Sequence, residues 1–95
     1  MIVFHGTMRV KSGLRSEFVG KLLAADLENR FREEPGNVFY TLALSAADDD
    51  VVATVDAWET AEAFEAHAKS AACAEFMKLH DEYVIEDPKP YVFEF

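Results

Sequence analysis

His67 stands three residues after Phe64 and nine before Phe76, and the lone tryptophan, Trp58, ends the segment that precedes them. Residues three apart on a helix share a face, so Phe64 and His67 point the same way. A neutral imidazole among apolar groups can act as a general base. Its ordinary pKa is about 6.5 and that of a phenol about 10, so a short hydrogen bond and a stabilised anion must close the gap. A phenolate or quinol anion is electron-rich enough to reduce molecular oxygen unaided. Trp58 offers a pocket floor and an N–H donor, Tyr40 an O–H donor, and Phe64 and Phe76 aromatic walls.

Each of these residues also has a plainer reading. His67 equally fits a helix end, satisfying a backbone carbonyl before Ser70, Trp58 fits an ordinary core, and Tyr40 fits a half-buried strand. His5 shares a strand face with Val3 and Thr7, where it lines either the pocket or a subunit interface. His80, Asp81 and Glu82 are consecutive helical positions that point in different directions, which fits a solvated helix end better than a metal site. Cys73 has no cationic neighbour in sequence to lower its pKa and reads as a small buried thiol. The Asp48-Asp49-Asp50 run lacks the ligand spacing and distal glutamate of a calcium loop. No glycine-rich phosphate loop, Ser-His-Asp order or paired-cysteine motif is present, which argues against most nucleotide, hydrolase and zinc chemistry. No metal and no cofactor are expected.

Eighteen acidic against nine basic side chains give a net charge of −9, which repels nucleic acid and anionic membrane surfaces. No apolar run approaches the roughly 18 residues of a membrane span. The N-terminus lacks the basic start and cleavage site of a secretory signal, and one cysteine makes no internal disulfide, so a reducing cytoplasm is expected. No linker or repeat divides the chain, and residues 1–95 read as a single domain. A domain this small buries only roughly 60–65% of its unfolded surface, so its core is thin and a partner is expected to supplement it.

The elements that must position the candidate residues follow from periodicity. Residues 2 to 10 alternate as a strand, and Ser12 stands where a helix N-cap would. Leu14, Phe18 and Leu22, with Leu23, Leu27 and Phe31, recur every four residues in one amphipathic helix that Pro35-Gly36 stops. Residues 37 to 45 and 51 to 58 form a hairpin across a polar tip. Thr60 caps the next helix, which breaks near Lys69-Ser70, where Ser70 caps a segment reaching about Tyr83. Asp87-Pro88-Lys89-Pro90 is extended, and residues 91 to 95 alternate as a last strand.

The order β-α-β-β-α-β predicts an α+β, ferredoxin-like fold with a four-stranded antiparallel sheet and helices on one face only. The other face would still show Val3, Phe39, Val52, Trp58 and Val92, or the opposite set. An apolar face of that size rarely stays in water, so two copies are expected to pack sheet against sheet as a homodimer.

The chain resembles the antibiotic biosynthesis monooxygenase family of dimeric α+β barrels. The resemblance is carried by Val10-Lys11-Ser12-Gly13, Glu34-Pro35-Gly36-Asn37-Val38-Phe39-Tyr40, Asp56-Ala57-Trp58-Glu59-Thr60, and Ala63-Phe64-Glu65-Ala66-His67 followed by Ser70 and Phe76. It implies a ferredoxin-like fold dimerised into a barrel, with a pocket between sheet and helices in each protomer. It also implies chemistry of the kinds such families perform: oxidation of a quinol or polycyclic phenol by molecular oxygen without metal or flavin, haem degradation, or isomerase and binding roles. The haem-degrading relatives use a first-strand asparagine, where this chain has His5-Gly6-Thr7, so haem is the less favoured substrate. The expected activity is a cofactor-independent monooxygenase acting on a small aromatic or quinone-like molecule. His67 would be its base or orienter, and Trp58, Tyr40, His5, Phe64 and Phe76 would bind the substrate. The alternatives are a binding or protective domain without turnover, and an isomerase or degrading enzyme for a small carbonyl-bearing signal. The fold alone does not choose among them.

Overall fold

Alternation in the first nine-residue strand sends Ile2, Phe4, Gly6, Met8 and Val10 to one side and Val3, His5, Thr7 and Arg9 to the other, and three other strands pair with this one. The structure, a computed structural model, describes residues 1–95. Its elements are β1 (Ile2–Val10), α1 (Arg15–Ala24), α2 (Leu27–Arg32), β2 (Asn37–Leu44), β3 (Val51–Trp58), α3 (Ala61–Ala68), α4 (Ala71–Tyr83), β4 (Val84–Glu86) and β5 (Tyr91–Glu94).

All strand pairings are antiparallel, in the order β2-β3-β1, with the far edge of β1 shared by β4 and β5. The fold is the expected α+β, ferredoxin-like one with three refinements. The sheet has five strands instead of four, because the last turn of chain pairs twice with β1: Val84 at Val10, then Tyr91 to Glu94 at His5 to Ile2. The first helix is two helices. Asp26 adopts a left-handed conformation (φ 55°), which aspartate tolerates, and its carboxylate accepts from Asn29 Nδ2 at 2.8 Å. That kink lets Phe18 and Leu22 of α1, and Leu27 and Phe31 of α2, all become buried. Ser12 caps nothing: the N-cap of α1 is Leu14, without a side-chain bond, and Gly13 (φ +79°) instead donates its N–H to Asp50 Oδ1 at 3.0 Å.

The expected break between α3 and α4 is present and doubly capped. Thr60 Oγ1 accepts from Ala63 N, and Ser70 Oγ accepts from Cys73 N while donating to the His67 carbonyl at 2.8 Å. The polar hairpin tip is tied down by Arg9 against Asp48 at 2.7 Å and by Arg15, whose guanidinium donates to three tip carbonyls. Edge strand β2 is covered by α2: Glu28 accepts from the Leu42 N–H, and Arg32 Nε donates to the Tyr40 carbonyl.

Facing is settled by register. Phe4, Asp56 and Tyr40 are cross-strand neighbours on the helix side, as are Gly6, Thr54 and Leu42. The open side carries Val3, His5 and Thr7, with Ala53 and Val55 from β3, Phe39 and Thr41 from β2, and Tyr91 and Phe93 from β5. Neither expected set was correct as a whole. Val3 and Phe39 lie on the open face, whereas Val52 and Trp58 are fully buried under the helices, and Val92 pairs with Phe4 on the helix side. No helix is long and apolar enough to cross a membrane.

Candidate active site

Trp58 is the last residue of β3, and as a strand residue two places after Asp56 it shares that residue's face. Its ring is fully buried, and its Nε1–H donates to Asp56 Oδ2 at 2.7 Å. Helix α3 then lays His67 over the indole, the two rings stacked at 4.4 Å between centroids and 25° between planes. Phe31 of α2 meets the imidazole edge-on at 4.7 Å. His67 Nδ1 lies 2.7 Å from Glu34 Oε1, a contact spanning 33 residues. A carboxylate at Nδ1 accepts a hydrogen bond from the ring N–H, which fixes the tautomer and leaves Nε2 as the basic nitrogen.

The turn Glu34-Pro35-Gly36 makes this contact possible. Gly36 has φ +82°, and a Cβ there would sit 2.5 Å from the Ala63 Cβ, so only glycine lets the turn press against α3. The Gly36 carbonyl also accepts from the Glu59 N–H at 2.8 Å, which ties the turn to the end of β3. Glu34, Trp58 and His67 are thereby brought together from three separate parts of the chain.

Between the sheet and α2, α3 and α4 lies a cavity of about 300 Å³. Its apolar wall includes Phe4, Met8, Phe31, Phe64, Phe76 and Met77. Its polar lining residues, apart from the mouth, are few: Thr7, Tyr40, Thr54, Asp56, His67, Cys73 and His80. The mouth is bordered by Asp87, Pro88 and Pro90 of the β4–β5 connection, held in place by His80 Nε2 at 2.6 Å from Asp87 Oδ2. His67 also borders a more open outer depression with Glu34, Thr60 and Glu62, so the imidazole stands between the cavity and the surface.

Burial sets the protonation preferences here. Desolvation raises the Asp56 pKa above the ordinary carboxylate range, opposed by the Trp58 hydrogen bond and by His67. Tyr40 is pushed far upward, first by desolvation and then by the charge of Asp56, so its hydroxyl stays protonated as a donor. The Cys73 thiol is raised as well, mainly by desolvation, which disfavours the nucleophilic thiolate.

Of the six residues singled out from sequence, His67, Tyr40, Phe64 and Phe76 line the cavity. Trp58 does not; it lies behind His67 as the surface on which the ring rests. His5 is on the opposite face of the sheet, its Nδ1 3.2 Å from the Thr54 carbonyl and its ring stacked on Tyr91. Strand alternation forces that placement, since His5 pairs with Val55 and Tyr91 on the open side. Sequence reasoning missed Asp56, Glu34 and His80. Asp56 carried a readable signal, a carboxylate two residues before a buried tryptophan on the same strand face. His80 did too, because Cys73, Phe76, Met77 and His80 follow the i, i+3, i+4, i+7 pattern of one helix face. Glu34 had none, since its partner is remote in sequence.

The profile of the family described as antibiotic biosynthesis monooxygenase matches residues 1–79. Among solved structures, the chain is similar to a Nitrosomonas europaea protein provisionally named an antibiotic biosynthesis monooxygenase. That likeness has 20% identity and a TM-score of 0.87, covering 100% of this chain and 98% of the other. It is also similar to a conserved Bacteroides thetaiotaomicron protein of unknown function described as a possible oxidoreductase, at 26% identity and a TM-score of 0.85, covering 99% and 96%. A conserved protein from Methanosarcina mazei Go1 shares the fold at 17% identity and a TM-score of 0.84, covering 97% and 89%. No curated protein matches the chain.

Proposed function

Because the chain belongs to the antibiotic biosynthesis monooxygenase family, we propose that it is a cofactor-independent monooxygenase oxidising a small hydroxylated aromatic or quinol with molecular oxygen. The observation that carries this reading is the apolar cavity lined by the oriented imidazole of His67, backed by Trp58 and tethered by Glu34. His67 Nε2 takes the acidic proton of the substrate, and the aromatic wall holds the resulting anion away from water. The anion transfers an electron to oxygen, and the two radicals combine at the ring carbon as a peroxide. Loss of water then leaves a carbonyl. For an anthrone-type substrate one oxygen atom enters the product, and the other leaves as water with the two hydrogens of the ring carbon. Glu34 orients His67 and lies toward the outer depression, which supplies an exit for the proton.

We also assign a homodimer packed sheet against sheet. Phe39, Tyr91 and Phe93 are 41%, 65% and 51% exposed on the open face, an apolar surface of the kind that a second copy covers.

Oxygen uptake with anthrone and a panel of quinols, comparing the wild type with His67→Ala, tests the reaction. The expected result is a product one oxygen heavier and two hydrogens lighter, with the rate in His67→Ala lower by about 10²–10⁴-fold, the usual contribution of a general base. An unchanged rate in the variant, or no turnover of any compound, overturns it. Thermal stabilisation by these compounds without uptake would identify a binding domain, and product without uptake an isomerase.

A further inference from the structure

The proposed reaction uses His67 and gives Asp56 no part, yet Asp56 is only 2% exposed and lines the cavity. One carboxylate oxygen, Oδ2, is occupied by the Trp58 indole N–H at 2.7 Å. The remaining oxygen has no donor in the protein and is not sealed in the interior, so it is open to whatever fills the cavity. Its cross-strand neighbours on the cavity face are Phe4 and Tyr40, an aromatic on either side. The Tyr40 hydroxyl, kept protonated by its burial, faces the same cavity. A buried acceptor with one free oxygen, in walls otherwise apolar, matches a ligand bearing a hydrogen-bond donor on an aromatic ring.

We propose that Asp56 is the residue that selects the substrate, accepting a hydrogen bond from a free aromatic hydroxyl on the ligand, while Tyr40 donates to an oxygen of the same ligand. This deepens the proposed function and rests on its reading of the cavity as a site for small aromatics. The substrate class becomes an aromatic with an unblocked hydroxyl, and O-alkylated relatives are excluded. A site built to bond a hydroxyl rejects an analogue lacking it, because the buried polar group is left unpaired.

The chemistry of Trp58 makes the idea sharply testable. The indole N–H only donates, so in Asp56→Asn the amide carbonyl must face it and the amide NH₂ turns to the cavity. The wall then presents a donor where it presented an acceptor.

Dissociation constants for 1-naphthol and 1-methoxynaphthalene, measured on the full chain under nitrogen, read this directly. A merely greasy cavity would favour the ether. The expected result is a preference of the wild type for 1-naphthol by at least about tenfold, falling to about twofold or less in Asp56→Asn as the ether binds more tightly. Tyr40→Phe should weaken both ligands and keep the preference. The proposal is overturned if the wild type shows no preference or binds neither compound. It is also overturned if folded Asp56→Asn keeps the full preference, or if Tyr40→Phe abolishes it. Because these are binding measurements without oxygen, a preference without later oxygen uptake would remove the reaction and leave the role of Asp56 standing. Uptake without a preference would do the reverse.

Discussion

The two faces of the sheet are built from the same five strands, and they carry polarity in opposite places. The helix face, which is covered, includes Thr54 and Asp56 among its buried residues. The open face, which no helix covers, is lined through β3 by Val51, Ala53 and Val55. Ordinary burial would reverse this, with the carboxylate outside and the valines inside. Polar groups retained beneath the helices point to a ligand, and apolar groups left outside point to a second copy of the chain. The same contrast separates two histidines: His67 is fixed by Glu34, Trp58 and Phe31, whereas His5 has a long contact to the Thr54 carbonyl and an exposed tyrosine as its stacking partner.

The largest effect is expected where the open face is charged. Val55 lies between His5 and Thr41 at the centre of that face. In a two-fold dimer, Val55→Asp sets like charges near one another at a cost of several kcal/mol. Sedimentation should show the wild type as a dimer and the variant as a monomer, with the variant's secondary structure intact. A wild-type monomer would break the comparison at its outer half. On the helix side the corresponding substitution is Gly36→Ala. It forces a Cβ to within 2.5 Å of the Ala63 Cβ at a φ of +82°. Left-handed strain of roughly 1–2 kcal/mol adds to overpacking of roughly 1–3 kcal/mol. A loss of about 3 kcal/mol in a urea titration is expected. Because the turn carries Glu34 to His67, the variant that still folds should also lose activity.

Trp58→Phe comes next. It keeps a ring under His67 but removes the only donor to Asp56 Oδ2. Leaving that buried carboxylate unpaired costs about 1–3 kcal/mol, and denaturant unfolding should read about 2. The same buried-to-exposed contrast predicts that Tyr91→Ala, which touches only His5 and Phe93 among aromatic rings, changes the stability of an isolated subunit by less than about 0.5 kcal/mol.

Much of the fold was legible because periodicity and caps are local. The β1 alternation, the hairpin, the Thr60 and Ser70 caps and the stop at Pro35-Gly36 each depend on a few adjacent residues. The kink at Asp26 was not legible, since Leu23, Leu27 and Phe31 continue a four-residue repeat through it and only the φ of one residue breaks the helix. Strand facing was ambiguous for a definite reason: both alternating sets of β3 are apolar over most of their length, so period two alone does not say which is inside. The site divides the same way. His67 with Phe64 lies on one helix face and could be read directly, but Glu34 reaches His67 only through the tertiary contact of the turn with α3. Trp58 reads from sequence as a pocket floor because nothing local reveals that an imidazole lies between it and the cavity.

The smallest effect tests whether the buried carboxylate is a burden that the helix face carries for function. Desolvation holds the Asp56 pKa above its ordinary value, so the folded state keeps its proton to higher pH than the unfolded chain does. With the folded state binding more protons, stability must fall as pH rises through the interval between the two values, and it levels off above the folded pKa. Asp56→Asn removes that ionisation while its carbonyl still accepts from Trp58. Wild type and variant should therefore have similar melting temperatures in acid, where Asp56 is neutral, and the variant should pull ahead as pH rises from about 4, the ordinary aspartate value, toward neutrality. His67, Tyr40 and Cys73 share the cavity and are coupled to the charge of Asp56, so the difference between the two proteins reports Asp56 together with that coupling. A gap that stays constant with pH would show that ionisation of Asp56 is not linked to folding, and one that opens in the acidic direction would show that the carboxylate stabilises the fold. In that case it would be a structural partner of Trp58 and not a group held ready for a ligand.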